Sequence, residues 1–299
     1  MNQWLAQVAA ETDRRIEEAL TAPTDLCPPR LQESMRYACL SGGKRVRPAL
    51  VCAAAQAATR TAELPTAQSV WQAAVAIELL HAFSLVHDDL PAMDDDELRR
   101  GKPTLHIAYD EATAILAGDA LSVRCFELLS DPQIPPHIAI RLVREIASGI
   151  GWCGVIAGQV LDLAAEHQPN PTPEQVHTIH RLKTAALMRV SCRCGAIAVD
   201  ADEPTVDDLS RFGELAGLAF QAVDDLLDEL ADPSLVGKKT KKDREKGKAT
   251  LPAAIGVEPA RQLAQAYSAE AAQAIQRFGP SAQPLAWLLD MVLQQLPGS

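Results

Sequence analysis

The chain has 299 residues, of which 47% are hydrophobic, and its formal net charge is −11. This length allows a large core to be buried within one domain. The acidic balance argues against a general nucleic-acid-binding or membrane-surface role, because phosphate-rich partners attract basic proteins.

The composition favours helices. Alanine and leucine dominate, aromatic residues make up only 4%, and long stretches lack the alternation that is typical of strands. No domain-sized linker interrupts the sequence. We therefore predict an all-α protein that forms a single domain over residues 1–299, with roughly 10–13 helices.

Three helices are predicted in the first 60 residues. An amphipathic helix over residues 2–21 is followed by a proline-containing linker and a second helix that ends near Leu40. The sequence Ser41-Gly42-Gly43 is a helix-stop signal, since glycine is common just beyond helix C-termini. A third helix is predicted from about Val46 to Thr59.

The first long helix is predicted over residues 66–90, and it ends in an aspartate cluster. Asp88 and Asp89 lie in its last turn, Pro91 ends it, and Asp94 follows. Further helices are predicted over residues 104–130 and 136–167. Thr172 is a plausible N-cap of the helices that continue to about Val199.

The second long helix is predicted over residues 206–230, and it carries a second aspartate cluster, Asp224, Asp225 and Asp228. The polar, basic stretch 232–248 predicts a surface loop and a candidate lid. Two helices, near 259–278 and 281–296, complete the chain.

The two clusters predict a metal site. Aspartates at positions i, i+1 and i+4, as in the second cluster, share roughly one helix face, where they repel each other unless a cation lies among them. Mg²⁺ prefers oxygen ligands, typically a few carboxylates together with substrate phosphates. If the two long helices pack side by side, the clusters would form a clamp for a metal-bound diphosphate, above an apolar pocket for a hydrophobic tail.

Basic residues are concentrated near these clusters. Twelve of the 28 lysines and arginines form three groups: Lys44, Arg45 and Arg47; Arg99 and Arg100; and seven residues between Lys238 and Lys248. An acidic protein with this distribution is suited to a small polyanion that binds together with metal.

Cysteine usage and the N-terminus indicate a cytoplasmic protein without membrane insertion. The seven cysteines show no Cys-x-x-Cys spacing and suit a reducing compartment. The N-terminus lacks the basic and apolar regions of a signal peptide. No charge-free apolar run approaches the ~20 residues that a membrane span needs.

The run from Leu80 to Asp94, followed by Arg99-Arg100-Gly101, resembles the first aspartate-rich motif of the trans-isoprenyl diphosphate synthases. It is most similar to the bacterial farnesyl diphosphate synthase type, which has two extra residues between the aspartates. Five further motifs occur in that family's order: Gly42 to Pro48, Gly158-Gln159, Lys183-Thr184, Phe220 to Asp228, and Gly237-Lys238. The resemblance covers about residues 40–255, and the motifs together are highly specific, whereas one alone would be weak.

The resemblance implies the isoprenoid synthase fold, in which helices surround a deep central cavity, and a homodimer. It also implies a prenyltransferase that uses an allylic diphosphate, isopentenyl diphosphate and about three Mg²⁺ ions per site. The metal ligands would be Asp88, Asp94 and Asp224. Asp89, Asp225 and Asp228 would complete the two clusters.

The other matching positions imply two diphosphate-binding groups. Arg99, Lys183 and Lys238 would hold the allylic diphosphate, assisted by Lys248. Lys44, Arg47, His81 and Arg100 would bind isopentenyl diphosphate, which needs no metal. Gln159, Asp162, Thr184 and Gln221 would line the site around the reacting carbons.

Phe83 bears on product length. It lies five residues before Asp88, about 7.5 Å deeper along the helix at ~1.5 Å per residue. In the family, an aromatic residue here accompanies a C15 product and a smaller one accompanies longer products. We therefore expect farnesyl diphosphate, with geranylgeranyl (C20) or geranyl (C10) diphosphate as alternatives. His87 is assigned no functional role.

Two other interpretations predict different behaviour. A non-catalytic partner subunit would not need intact aspartates in both clusters or the cations Lys44, Arg47 and Arg100. A class I terpene cyclase binds one diphosphate, so the second basic group would have no purpose. Since the last arginine is Arg277, we do not expect basic C-terminal residues to help close the site.

Overall fold

The computed structural model describes residues 1–23, 25–166, 171–230 and 248–296. These residues are predominantly helical, which agrees with the predicted all-α class. Their only strands are β1 (Leu98–Arg99) and β2 (Lys102–Pro103), which pair antiparallel just after the first aspartate cluster.

Fourteen α-helices are present in the described part of the chain. They are α1 (Asn2–Ala19), α2 (Pro29–Leu40), α3 (Val46–Thr59), α4 (Gln68–Asp88), α5 (Leu105–Ala108), α6 (Glu111–Leu129), α7 (Pro136–Ile150), α8 (Val155–Ala165), α9 (Pro173–Ile179), α10 (Ala186–Ala198), α11 (Glu203–Leu230), α12 (Leu251–Ile255), α13 (Val257–Ala274) and α14 (Gln283–Leu293). A π-helical turn (His180–Ala185) joins α9 to α10, and a 3₁₀ segment (Gln276–Ala282) precedes α14.

Two helices that we predicted as continuous are broken. Residues 104–130 form α5 and α6, because Asp110 leaves helical geometry and caps α6 by accepting a hydrogen bond from the Thr113 N–H. Residues 136–167 form α7 and α8. Here Gly154 approaches the end of α7 so closely that a Cβ would lie 1.9 Å from the Gly149 carbonyl oxygen.

Packing in the core fixes the positions of the two helices that carry the aspartate clusters. α4 is buried on most of its surface, including Ala73, Ile77 and Leu80. α10 packs against both α4 and α11, so it bridges the two long helices, and their aspartate clusters line one cavity. A small residue allows α11 to approach α10 closely: a Cβ at Gly213 of α11 would lie 2.7 Å from the Arg189 Cα of α10.

Two segments are long and apolar enough to cross a membrane by length and composition alone, Gln68–Asp88 and Pro136–Ala165. The protein buries 72% of the apolar window in the first and 44% in the second. The first is α4, and the core helix of a soluble protein has the same composition.

Arg45, which belongs to the first basic group, is a structural residue. Its side chain is almost fully buried and donates hydrogen bonds to Asp13 (2.6 Å), Glu78 (2.8 Å) and the Cys39 carbonyl oxygen (2.8 Å). Glu78 is also buried, so its charge depends on Arg45 for compensation.

Arg45→Ala is expected to lower the free energy of unfolding by about 3–5 kcal/mol, because it leaves the buried Glu78 carboxylate without its ion-pair partner. Denaturant unfolding measures this change. The double variant Arg45→Met/Glu78→Leu should recover most of the loss, since it removes both charges. A decrease below about 1 kcal/mol, the size of a surface ion pair, would contradict this role for Arg45.

Candidate active site

The two aspartate clusters line one cavity of about 230 Å³, although Asp88 and Asp224 are far apart in sequence. The cavity lies where α4, α8, the π-helical turn and α11 meet. The residues of interest that line it are Asp88, Asp94, Arg99, Asp162, Lys183, Thr184, Gln221, Asp224, Asp225 and Lys248. Carboxylates, cations and amide or hydroxyl groups therefore face one space.

The other predicted residues lie outside this lining. They are Lys44, Arg47, His81, Phe83, Asp89, Arg100, Gln159 and Asp228. Asp89 and Arg100 instead line a neighbouring cavity of about 50 Å³, which shares Leu85 and Arg99 with the first. Lys238 and most of the predicted lid fall outside the described residues.

In the first cluster, Asp88 and Asp89 have different surroundings. Burial raises the pKa of Asp88 to about 6, with nearby Asp94 adding to the rise and Lys183 opposing it. Burial also raises the pKa of Asp89, although this carboxylate accepts hydrogen bonds from Arg99 Nε (2.9 Å) and Nη2 (2.6 Å). The Asp88 carboxylate can therefore bind a ligand in the cavity, while the Asp89 carboxylate orients Arg99.

In the second cluster, Asp224 is exposed and Asp225 is buried. The Asp225 carboxylate accepts hydrogen bonds from Gln221 Nε2 (3.0 Å) and from the Leu251 N–H (2.8 Å). His180 Nε2 lies 3.4 Å from the same carboxylate. Asp225 therefore links α11 to the π-helical turn and to the start of α12, whereas Asp224 faces the cavity.

The π-helical turn positions the groups between the clusters. Thr184 donates a hydrogen bond to Gln221 Oε1 (2.8 Å), and Lys183 Nζ lies 2.5 Å from Asp162 Oδ2. α8 can approach this turn only because residue 158 is glycine: a Cβ there would lie 2.3 Å from the Lys183 backbone nitrogen. Such π-helical insertions are frequent at functional sites.

Lys248 brings a second ammonium group between the clusters. Its Nζ lies 3.4 Å from Asp94 Oδ1 and 4.0 Å from Asp162 Oδ2. Together with Lys183, it provides positive charge where the carboxylates converge. A diphosphate in this cavity would meet both cations and, through a metal ion, the carboxylates.

The second basic group lies beside α4, and within the described residues Arg47 and Arg100 form no ion pair with a carboxylate, although the charge of Glu78 acts on both. Arg47 Nη1 lies 3.0 Å from His81 Nε2, and Arg100 donates a hydrogen bond to the Gly42 carbonyl oxygen. Burial lowers the pKa of Arg47 to about 10. Burial, and then the charge of Arg47, lowers the pKa of His81 well below its usual value, so the imidazole is neutral and accepts from Arg47.

Two buried polar groups near the site lack partners within the described residues. Arg47 Nε has no hydrogen-bond acceptor, and neither amide atom of Gln159 has a partner. Gln159 is only 8% exposed. Since buried polar groups are nearly always hydrogen-bonded, these atoms indicate that a ligand or water completes the site.

The donor set suits a hard divalent cation that is shared with a ligand. Among the described residues, no three His, Cys, Asp or Glu side chains lie close enough to hold a metal ion unaided. Asp88, Asp94 and Asp224 nevertheless present carboxylate oxygens to one cavity. Mg²⁺ usually takes only one or two carboxylates and completes its shell with water and phosphate oxygens, so this arrangement fits.

His180 and Leu251 were missed by the sequence analysis. His180 lies one helical turn before Lys183 and Thr184, and this spacing could have placed it near the site. The Leu251 contact is made by a backbone N–H, which carries no signal in the sequence.

Comparison with known proteins shows to which family the chain belongs. Residues 28–278 match the family model described as polyprenyl synthetase. The chain belongs to the polyprenyl synthetase family. This confirms the family resemblance and the prenyltransferase activity that we predicted from the motifs, and the membership agrees with the all-α fold.

Relatives within the polyprenyl synthetase family differ in product. The chain is 41% identical to farnesyl diphosphate synthase of Escherichia coli, with 88% of each chain covered. It is 38% identical to geranylgeranyl diphosphate synthase of Cyanophora paradoxa, covering 90% of this chain and 88% of that one. A Helicobacter pylori geranyltransferase structure with magnesium and isoprenyl diphosphate is 33% identical, with a TM-score of 0.81, and covers 98% of this chain and 96% of its own.

Proposed function

We propose that the protein condenses dimethylallyl or geranyl diphosphate with isopentenyl diphosphate, in the presence of Mg²⁺, to give farnesyl diphosphate for isoprenoid biosynthesis. The observation that carries this proposal is the shared cavity: Asp88 and Asp224 line the same space together with Lys183 and Lys248. The second basic group, around Arg47, offers a separate place for a second diphosphate.

The allylic diphosphate is assigned to the aspartate cavity. Asp88, Asp94 and Asp224 would hold about three Mg²⁺ ions with it, and the bound metal would offset the negative charge of the departing diphosphate. Arg99, Lys183 and Lys248 would donate charge-assisted hydrogen bonds to its oxygens. Lys238 belongs to the same proposal, although it lies outside the described residues.

Isopentenyl diphosphate is assigned to Lys44, Arg47, His81 and Arg100. Burial lowers the pKa of Arg47 and of Arg100, and neighbouring arginines add to both shifts. Within the described residues, no carboxylate forms an ion pair with either guanidinium group, since the nearby Glu78 pairs with Arg45. An incoming diphosphate would satisfy both guanidinium groups without a metal ion. His81 would hold Arg47 in place and, because its imidazole is neutral, would not repel the Arg47 guanidinium group.

The reaction requires the allylic carbon–oxygen bond to break and a new carbon–carbon bond to form. The electron pair of the broken bond leaves with the diphosphate, and the double bond of isopentenyl diphosphate then attacks the allylic cation. The Thr184 hydroxyl and the Gln221 amide, which bond each other, can stabilise this cation through their dipoles without reacting with it. The departed diphosphate accepts the proton that is finally lost, so no side chain is needed as a general base.

Phe83 is proposed to end chain growth at C15. It is half-buried and packs where two apolar clusters of the core meet, on the α6 side of α4. Because relatives with C15 and C20 names are almost equally similar to the chain, local residues such as Phe83 must distinguish the products. Geranylgeranyl and geranyl diphosphate remain the alternative products.

We also propose a cytoplasmic homodimer. α6 exposes the apolar side chains Ile115, Leu116 and Val123, and α8 exposes Ile156 and Val160. A second copy of the chain would cover such faces, as exposed apolar patches commonly mark interfaces. Sedimentation equilibrium tests this: a mass twice that of one chain is expected, and a monomer at all concentrations would contradict it.

The proposed activity is tested by incubating the purified protein with dimethylallyl diphosphate, isopentenyl diphosphate and Mg²⁺, and separating the products by chain length. C15 should be the main product, and chelation of the metal should abolish its formation. A C20 or C10 product would establish the alternative. Cyclised products from a single diphosphate, or no turnover, would contradict the proposal.

A further inference from the structure

His87 lies against Phe83. The two residues are one helical turn apart on the same face of α4, and His87 contacts α6. Their ring centroids are 4.9 Å apart and their planes meet at 73°, which is an edge-to-face contact. Side chains on a helix lean toward its N-terminus, so the imidazole covers the side of Phe83 that points toward Asp88.

The Nε2 end of the imidazole contacts two residues of α6. Its Nε2 lies 3.1 Å from the Ile115 carbonyl oxygen. Because a carbonyl oxygen only accepts hydrogen bonds, Nε2 carries the proton. Gly118 lies against the Nε2 end of the ring: a Cβ at this position would be 2.2 Å from Nε2. The imidazole therefore has little room to move away from Phe83.

These contacts restrict Phe83 itself. Without the imidazole, the phenyl ring could turn into the space between α4 and α6, and the apolar pocket that the proposed function places beneath the aspartate clusters would lengthen. With His87 fixed against Ile115 and Gly118, that space is filled. The depth of that pocket would then depend on His87, Ile115 and Gly118 as well as on Phe83.

We infer that His87 is a positioning residue for product length: it holds Phe83 in place through its contacts with Ile115 and Gly118 of α6. The inference rests on the proposed function, because it requires Phe83 to end the growing chain. It assigns His87 no contact with substrate or metal.

The test measures the ratio of C20 to C15 product, at initial rates and one fixed substrate ratio, for four variants. Phe83→Ala should make C20 the main product. His87→Ala should raise the C20:C15 ratio at least tenfold. Adding His87→Ala to Phe83→Ala should change the ratio less than twofold, since His87 acts through Phe83. Gly118→Ala should also raise the ratio, because the added methyl group displaces the imidazole. If His87→Ala does not fold, Gly118→Ala tests the inference in its place.

His177→Ala is the matched control. His177 makes a comparable ring contact with Tyr267, with centroids 6.4 Å apart, but it lies on α9. This variant should retain the wild-type ratio. A wild-type ratio in both His87→Ala and Gly118→Ala, while Phe83→Ala lengthens the product, would overturn the inference alone. If Phe83→Ala still gives C15, the assignment of Phe83 fails, and the inference about His87 fails with it.

Discussion

Asp88→Asn and Asp224→Asn should each lower kcat by about a thousandfold or more, while the protein stays folded. Asparagine keeps the shape of the side chain but removes the charge that would bind Mg²⁺. Metal stabilisation of a leaving group contributes several kcal/mol, and each 1.36 kcal/mol corresponds to a factor of ten in rate. Steady-state kinetics at saturating substrates and Mg²⁺ measure the loss.

Asp207→Asn is the control for these variants. Asp207 lies near the start of α11, where it pairs with Arg193 at 3.4 Å, and it is remote from the cavity. Its replacement should change kcat by less than about twofold, as expected of surface substitutions. If either Asp88→Asn or Asp224→Asn behaves like this control, the corresponding cluster does not take part in the reaction.

Arg47→Met should raise KM for isopentenyl diphosphate by about 10–100-fold and leave KM for the allylic substrate nearly unchanged. A hydrogen bond to a charged group contributes about 1.5–3 kcal/mol, and 1.4 kcal/mol corresponds to a factor of ten. Methionine keeps an unbranched side chain but removes the charge and the hydrogen-bond donors. Initial rates with each substrate varied in turn separate the two KM values.

Arg60→Met is the matched control, because Arg60 lies at the other end of α3 and is exposed. It should alter neither KM. An equal rise in both KM values for Arg47→Met would mean that Arg47 supports the whole site rather than one subsite. A rise in the allylic KM alone would mean that Arg47 binds the allylic diphosphate, so its assignment to isopentenyl diphosphate would be wrong.

The sequence could predict the aspartate cavity because its residues lie within contiguous motifs. Asp88 and Asp224 each end a strongly apolar helical pattern, and the fold brings them to one space as expected. Helix continuity was harder to predict. The breaks before Glu111 and at Gly154 depend on a side-chain cap and on a close backbone approach.

Contacts between distant segments could not be derived from the sequence. Arg45 and Arg47 are two residues apart and look equivalent, yet the fold pairs Arg45 with Glu78 and leaves Arg47 facing His81. Asp225 belongs to the second motif, but its partners include a backbone N–H 26 residues away. His87 gains its partners only because α6 packs against α4.

The proposed function requires two diphosphate sites, one that binds its ligand through metal and one that binds through cationic side chains alone. Calorimetric titration of isopentenyl diphosphate and of an unreactive allylic diphosphate analogue, each with and without Mg²⁺, tests it most directly. We expect the analogue to bind only with Mg²⁺ and to lose binding in Asp88→Asn. Isopentenyl diphosphate should bind in the absence of metal. If the analogue binds equally well with and without Mg²⁺, or if isopentenyl diphosphate requires the metal, the proposed assignment of the two sites is wrong.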